Sequence, residues 1–218
     1  MTAKKKNINS EKLISWYMEY VTEKERIPKS IGTFAKASNF EEQLFYKHYT
    51  NFTELDQDIY KSFFDQTVVL LKQMDDYNNF SARNKLLSFY YTLFELLTLN
   101  RSFIIINLKS YKGNLARLKP LKRLHKSIKY FIYTLRVEML NLNLEVLNNL
   151  QSKILEEAAW LQFLFVFNFW FEDESPEFEK TDILIEKSIN TTFDLINIQP
   201  IKSALDLGKF LLNEKIKK

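Results

Sequence analysis

The stretch SIGTFAKASNFEEQLFYKHYTNFTEL, from Ser30 to Leu55, contains two short apolar runs at helical spacing, a turn between them and the start of a longer helix. Ser30 is a favourable N-cap, because its hydroxyl can accept from the free N–H groups of a first helical turn. Asn39 suits the turn, since asparagine tolerates left-handed backbone better than most residues with a side chain. Phe40 can fill the gap between the helices. The pattern predicts a helix-turn-helix, the arrangement that places its second helix in a DNA major groove.

The second short helix is predicted to have an apolar face and a polar face. Leu44 and Phe45 are expected to point inward, together with His48. The residues expected to point away from the core are Gln43, Tyr46 and Lys47.

Two further helix starts are predicted from capping residues. Ser10 is expected to cap a first helix that runs to about Glu23. Asn51 is followed three residues later by Glu54, which is the spacing of a capping box. Leu55 then lies on the inward face of the helix that begins there.

A motif runs through this stretch. Its parts are Phe34-Ala35-Lys36-Ala37-Ser38-Asn39-Phe40, then Leu44-Phe45-Tyr46-Lys47-His48-Tyr49, then Leu55. It resembles the N-terminal motif of the TetR family of transcriptional regulators. That family carries an apolar-Ala pair, a small-Gly-apolar turn, an apolar-Tyr-x-His/Tyr-Phe run and a Leu on the next helix.

The resemblance implies an all-α, TetR-like fold. Residues 1–50 would form a three-helix helix-turn-helix domain that binds DNA, and residues 51–218 a larger helical domain for effector binding and dimerisation. It also implies a cytoplasmic homodimer whose partners are a double-stranded DNA operator and an unknown apolar or aromatic small molecule. The implied DNA contacts are Ser30, Tyr46, Lys47 and His48 on phosphates, and Gln43 and Glu42 at base edges.

The chain departs from the family motif at several positions. Asn39 replaces the turn glycine, Glu41 stands where Ser or Thr is usual, and Gln43 stands where a small Gly is usual. Phe52 replaces the lysine that opens the next helix and approaches a phosphate. Glu41 and Glu42 suit a helix dipole, but they repel phosphates, and a glutamate can also accept from a cytosine amino group. The alternative function is therefore a TetR-fold protein that binds a lipid or another apolar ligand and has lost DNA binding.

Composition narrows the other possibilities. The 218 residues include only three Gly and four Pro, which favours long helices, and no Cys, which excludes disulfides and thiolate chemistry. The two histidines, His48 and His125, lack metal-ligand spacing, and the glycines are too scattered for a phosphate loop. We therefore predict no catalytic residue, no metal site, no cofactor and no enzyme.

Basic residues cluster twice in the chain. Lys4, Lys5 and Lys6 form either a solvated tail or an arm that contacts phosphates. Residues 109–129, the basic segment, contain no acidic residue, and they form either a solvated surface or a second phosphate-binding patch. The cations of the basic segment are Lys109, Lys112, Arg117, Lys119, Lys122, Arg123, Lys126 and Lys129.

Further helices are predicted in the larger domain, including a short one at 104–106, one near 153–171, one near 181–196 and a last one at 201–214. The helix near 153–171 carries more apolar surface than one small domain easily hides. By the resemblance, it and the helix near 181–196 would pair with their copies across a two-fold dimer axis. Its apolar run, 158–171, is too short for a membrane span, and no membrane partner is predicted. The aromatic residues assigned to that interface are Trp160, Phe163, Phe167 and Trp170.

An aromatic-lined pocket is predicted in the same domain. Polar or amphipathic side chains on apolar helices are the candidates, because such residues orient a ligand in an apolar site. Glu95 is either a polar anchor in the pocket or an exposed carboxylate. The predicted lining is Tyr91, Glu95, Tyr130, Tyr133, Phe163, Phe167 and Asn168.

Overall fold

The computed structural model describes residues 8–137 and 145–196, together with residues 207 and 210. Within these residues there is no β-strand, so the predicted all-α class is confirmed. Two 3₁₀ turns, Tyr77–Asn79 and Pro176–Phe178, join longer helices. The described helices are α1 Ser10–Lys24, α2 Ile31–Ala37, α3 Glu42–Phe45, α4 Phe52–Gln73, α5 Ala82–Leu99, α6 Arg101–Ser110, α7 Asn114–Arg117, α8 Lys122–Thr134, α9 Glu145–Glu172 and α10 Glu179–Ile196.

The chain forms two compact units. The first comprises Met1–Val69 and Leu93–Ser127, and the second comprises Leu70–Thr92 and Ile128–Lys218. Helices α1, α2, α3, α6 and α7 belong to the first unit, whereas α9 and α10 belong to the second. Helices α4, α5 and α8 contribute residues to both units.

The core of the first unit is aromatic around the helix-turn-helix. Phe34 lies 5.7 Å from Tyr17, 5.2 Å from Phe40 and 6.1 Å from Phe52, measured between ring centroids. The Phe52 ring also stacks on Tyr17 at 5.2 Å. Edge-to-face and offset contacts of this kind add about 0.5–1.5 kcal/mol each beyond the buried area. Aromatic packing thus fixes α2 against α1 and the start of α4.

The helix starts follow the predicted capping chemistry with two corrections. The N-cap of α1 is Asn9, not Ser10, because the Asn9 side chain accepts from the Lys12 N–H at 3.0 Å. At α4, Asn51 accepts from the Glu54 N–H at 3.0 Å, as predicted. The Glu54 carboxylate, however, accepts from Thr50 and not from Asn51: the distances are 2.7 Å to the backbone N–H and 2.9 Å to the hydroxyl.

A buried polar network joins α4 to the end of α6. Asp56, which is 2% exposed, accepts from the Asn107 amide at 2.8 Å and from the Tyr111 hydroxyl at 2.6 Å. The Tyr60 hydroxyl donates to the side-chain amide oxygen of Asn107 at 3.1 Å. Burial raises the pKa of Asp56 to about 6, although the hydrogen bonds from Tyr111 and Asn107 oppose the rise. Buried polar groups need such partners, so the network favours one register of α4 on α6.

The core of the second unit includes one side of α9. Phe163 stacks on Trp160 at 5.2 Å and on Phe167 at 5.5 Å, and its edge contacts Tyr90 of α5 at 6.4 Å. Trp160, Phe163, Phe167 and Trp170 are all at most 7% exposed. The assignment of these four residues to an external interface was therefore wrong: their helical spacing reflects the inward face of α9.

The turn between α9 and α10 is organised by Asp173. Its carboxylate accepts from the backbone and hydroxyl of Ser175 and of Thr181 at 2.6–3.0 Å. Burial by itself would raise the pKa of Asp173, but these hydrogen bonds outweigh it and lower the pKa to about 2. Farther along, the Arg83 guanidinium of α5 reaches Asp194 of α10 at 2.6 Å.

Three helix predictions have different outcomes. The isoleucine run at 104–106 is helical, as predicted, within α6. Helix α9 begins at Glu145, so it starts eight residues before the helix predicted near 153–171. The last predicted helix, 201–214, falls outside the described residues except at 207 and 210, and so does the arm at Lys4 to Lys6.

The raised pKa of Asp56 predicts how stability depends on pH. The folded protein holds this proton more tightly than the unfolded chain, in which an aspartate has a pKa of about 3.9. The resulting stabilisation is complete below about pH 4 and is lost as the pH rises through about 6. Between pH 4 and pH 7 we expect the wild type to lose about 2–3 kcal/mol of unfolding free energy relative to Asp56→Asn, which cannot titrate.

Urea unfolding of both proteins, followed by circular dichroism at one protein concentration, measures this difference. Other titrating groups are common to the two proteins and cancel. A difference that stays constant across this pH range would contradict the assignment.

Candidate nucleic-acid interface

The turn between α2 and α3 has the predicted left-handed residue. Asn39 has φ +56°, and Phe40 beside it is 2% exposed. Helix α3 is short, and Phe45 is its buried residue. Gln43, Tyr46 and Lys47 are exposed, as the pattern predicted. Helix α3 is thus held by an aromatic anchor on one side and exposes polar side chains on the other.

Ser30 serves as the N-cap of α2. Its hydroxyl accepts from the Thr33 N–H at 3.1 Å and lies 3.0 Å from the Thr33 hydroxyl. The residue is exposed, so the same hydroxyl is accessible to a ligand at the start of α2.

Glu42 is engaged within the motif. Its carboxylate accepts from the Tyr46 hydroxyl at 3.2 Å. It also lies over Gly32 in the first turn of α2, where a Cβ would be 2.8 Å from Glu42 Oε2. A base contact by Glu42 would therefore compete with the hydrogen bond from Tyr46.

The position of His48 differs from the prediction of an inward face. The side chain is exposed, and its Nε2 lies 3.0 Å from the Ile8 carbonyl oxygen. Because a carbonyl oxygen can only accept, this ring nitrogen donates. His48 therefore fastens the segment before α1 to the residues that follow α3.

Residues 8–50, which contain the helix-turn-helix, have no net charge. Residues 8–50 contain six basic and six acidic side chains. Phe52, which stands where the family motif has a lysine, packs in the aromatic core against Phe45 at 5.6 Å. Glu41 and Glu42 are both exposed near the start of α3. Phosphate attraction in this part of the chain therefore depends on individual side chains such as Lys47, not on net charge.

The basic segment is attached to the first two turns of α4. Tyr111 contacts Asp56 as described above, Gln57 donates to the Lys119 carbonyl at 3.0 Å, and Arg123 forms an ion pair with Asp58. Lys129, in the second unit, pairs with Glu157 at 2.5 Å. The lysines of the basic segment that are exposed are Lys109, Lys112, Lys119, Lys122 and Lys126.

The residues predicted to line a pocket differ widely in burial. Phe163 and Phe167 lie in the core of the second unit. Tyr130 and Tyr133 are 68% and 62% exposed. The other three, Tyr91, Glu95 and Asn168, are also exposed.

A groove of about 720 Å³ lies at the end of α9 and the turn that follows it. Asn168 is the one predicted pocket residue that lines it. Most of the charged side chains around the groove are acidic, which suits a polar or cationic ligand better than an apolar one. The lining residues are Asn168, Phe169, Glu172, Asp173, Glu174, Ser175, Pro176, Glu179 and Lys180.

Helix α9 also has an exposed apolar side that the sequence reasoning missed. Ile154, Leu161 and Phe165 are at least 60% exposed, and Phe169 is 38% exposed. The signal was present in the sequence, since these residues recur at intervals of seven and four. It was obscured because α9 is apolar around most of its circumference.

Two general features bear on function. Residues Ser152–Glu172 are long and apolar enough to cross a membrane by length and composition, but the buried row from Trp160 to Trp170 shows that one side of this helix is protein core. Among the residues that the structure describes, no group of three or more histidine or acidic residues has an arrangement that could hold a metal ion.

A comparison with known protein families gives a match over the larger part of the chain. A family model described as "Tetracyclin repressor-like, C-terminal domain" matches residues 85–211, which is more than half of the chain. No curated protein matches the sequence.

The contact between Gly32 and Glu42 predicts the outcome of a substitution. Gly32→Ala should raise the unfolding free energy by up to about 1 kcal/mol, because alanine favours a helix and the Glu42 carboxylate can move aside. Gly113→Ala is the matched control. Gly113 has φ +92°, so alanine there should cost about 1–2 kcal/mol.

Urea unfolding of the two variants and the wild type measures whether each substitution raises or lowers the unfolding free energy. Destabilisation by Gly32→Ala would contradict a mobile Glu42 and would indicate that its carboxylate is fixed over α2.

Proposed function

The chain belongs to the tetracyclin repressor-like (TetR) family, and from that premise we propose that it is a homodimeric, DNA-binding transcriptional regulator controlled by a small apolar or aromatic ligand. The matched residues, 85–211, do not overlap the motif at residues 34–55. Two separate parts of the chain therefore support the same family, and the predicted TetR-like fold is confirmed. The family consists of regulators, which agrees with the prediction of no enzyme.

The observation that carries the proposal is the surface of α3. Gln43, Tyr46 and Lys47 are exposed on a short helix that buried Phe45 anchors, directly after a turn of helix-turn-helix form. In this proposal residues 1–50 are the DNA-binding part and residues 51–218 the effector-binding and dimerising part. Ser30, Tyr46, Lys47 and His48 contact phosphates, and Gln43 reads a base edge.

Dimerisation is proposed through α9 and α10. Ile154, Leu161 and Phe165 of α9 are exposed, and α10 also exposes Ile183 and Leu195, at 43% and 47%. Exposed apolar surface of this kind usually marks a protein interface. A two-fold dimer would present two copies of α3 to half-sites about 34–36 Å apart.

Ligand control is proposed as a population shift. An apolar effector bound in the larger domain would favour a spacing of the two α3 helices that no longer matches the operator. The predicted lining residues from Tyr91 to Asn168 remain the candidates. The tyrosines among them are exposed, so enclosing a ligand would require these side chains to become buried. Effector binding would therefore be accompanied by a rearrangement of the helices that carry them.

A second candidate is supported by the charges of the helix-turn-helix. Residues 8–50 have no net charge, Glu41 and Glu42 are exposed, and Phe52 is used for packing. These features suit a TetR-fold protein that binds a lipid or another apolar ligand without touching DNA. Duplex selection from a random pool by the wild-type protein, with mass spectrometry of co-purified small molecules, separates the two. An enriched sequence supports the DNA-binding regulator. If no sequence is enriched and a lipid co-purifies with the protein, the result supports the ligand-binding protein that does not touch DNA.

Two substitutions on α3 test the assigned roles. Lys47→Ala should weaken binding to every duplex alike and lower the salt dependence by about one unit of slope per lost phosphate contact. Gln43→Ala should instead reduce the preference for the selected sequence by about 1–3 kcal/mol. Fluorescence anisotropy with selected and scrambled duplexes measures both quantities, and Lys72→Ala, an exposed lysine of the second unit, is the control. Equal effects of the two α3 substitutions on both duplexes would refute the assignment.

The dimer is tested on the exposed side of α9. Leu161→Glu places a charge at a residue that is 65% exposed, so the protomer should still fold while the interface is disrupted. We expect a dimer for the wild type and a monomer for this variant in analytical ultracentrifugation. Leu115→Glu, at a leucine of the first unit that is 84% exposed, should leave the dimer intact. A dimer that survives Leu161→Glu would place the interface elsewhere.

A further inference from the structure

The first unit contains two surfaces of different charge. Residues 8–50, which include α3, carry no net charge, whereas residues 109–126 carry seven cations and no acid. Of these cations, Arg123 is paired with Asp58, and five lysines are exposed. The positive charge of this unit thus lies mainly in the basic segment and, at the start of the chain, in Lys4, Lys5 and Lys6.

The basic segment is held close to the residues that follow α3. Helix α4 begins at Phe52, and Asp58, which pairs with Arg123, lies about 9 Å farther along the helix at 1.5 Å per residue. Tyr49, just after α3, is close to the same ion pair: burial raises its pKa, Asp58 raises it further and Arg123 opposes the rise. Tyr111 and Arg123, which are twelve residues apart in the segment, are therefore both fastened to the helix that supports α3.

We propose that the exposed lysines of the basic segment form a second phosphate-binding surface, which contacts the DNA backbone flanking the half-site that α3 reads. This inference rests on the proposed DNA-binding function. A duplex carries one phosphate about every 3.4 Å along each strand, so lysines held beside the first turns of α4 could reach phosphates beyond the bases that α3 reads. Lysine suits this role, because its ammonium is a point charge on a long stem and needs no fixed geometry.

The charge balance supports DNA over other partners for this surface. Residues 8–50, which have no net charge, gain little from counterion release, which supplies most of the non-specific affinity of DNA-binding proteins. The exposed lysines supply what these residues lack, and they lie on the same compact unit as α3. Sequence preference would come from α3, and affinity would come largely from residues 109–126.

The test compares two variants that lose the same charge. Lys119→Gln/Lys122→Gln removes two exposed lysines beside α4, and Lys72→Gln/Lys180→Gln removes two exposed lysines of the second unit. Anisotropy is measured over a series of salt concentrations with the selected duplex and with a scrambled one. In a dimer we expect the first variant to lower the salt slope by about 2–4 and to bind both duplexes about tenfold or more weakly at low salt. The ratio between the two duplexes should be unchanged, and the control pair should resemble the wild type.

The dependence of binding on duplex length provides a second measurement. If the lysines only stabilised the fold, substituting them would not change this dependence. Trimming the flanks of the selected duplex should weaken binding by the wild type more than binding by Lys119→Gln/Lys122→Gln, which keeps three of the five exposed lysines. Leu115→Ala removes an exposed apolar side chain within the segment, which a protein partner would use as an anchor. It should not change the salt slope.

The outcomes separate this inference from the proposed function. Wild-type protein that binds no duplex overturns both. Sequence-selective binding whose salt slope and flank dependence survive the double substitution overturns the second surface alone. Binding without sequence selectivity that the double substitution abolishes overturns the operator proposal and supports the phosphate-binding surface.

Discussion

The buried carboxylate of Asp56 is the constraint on which the first unit depends. A charge or a proton donor in this position needs partners, because an unsatisfied polar group in the core costs several kcal/mol. Asn107 and Tyr111 satisfy it, and both come from the end of α6. Since α4 carries Asp56 and also begins directly after the helix-turn-helix, the contact between Asp56 and Tyr111 relates α3 to the basic segment, to which Tyr111 belongs. Stability and the proposed DNA-binding surface are thus coupled through the same helix.

At position 52 the helix-turn-helix has an aromatic residue that packs in the core, where the family motif has a lysine that approaches a phosphate. Phe52 joins Phe34, Phe45 and Tyr17 in the core. An aromatic side chain in this position holds the short helix α3 firmly, but it contributes no charge toward a phosphate. We propose that the five exposed lysines of the basic segment, which belong to the same compact unit, compensate for this loss. In this view the affinity for DNA and the stability of the domain are supplied by different parts of one unit.

Helix α9 shows how one helix serves two environments. Its residues from Trp160 to Trp170 stack in the core of the second unit, while Leu161 and Phe165 on another side remain exposed. Both sets are apolar, so composition does not distinguish the face that stabilises the protomer from the face available to a second protomer. The difference arises because α5 and α10 cover one side of α9 and leave the other open.

The sequence by itself determined what local physics controls. The Ser30 cap, the left-handed Asn39, the burial of Phe45 and the all-helical class follow from capping, turn chemistry and helical period, and they were predicted. Only the tertiary structure decided which side of α9 is buried, that His48 contacts Ile8, and that Asp56 finds Asn107 and Tyr111, which lie 51 and 55 residues away in the chain. Such contacts depend on how helices pack over long sequence separations, and neither residue type nor periodicity records which partner will cover a given face.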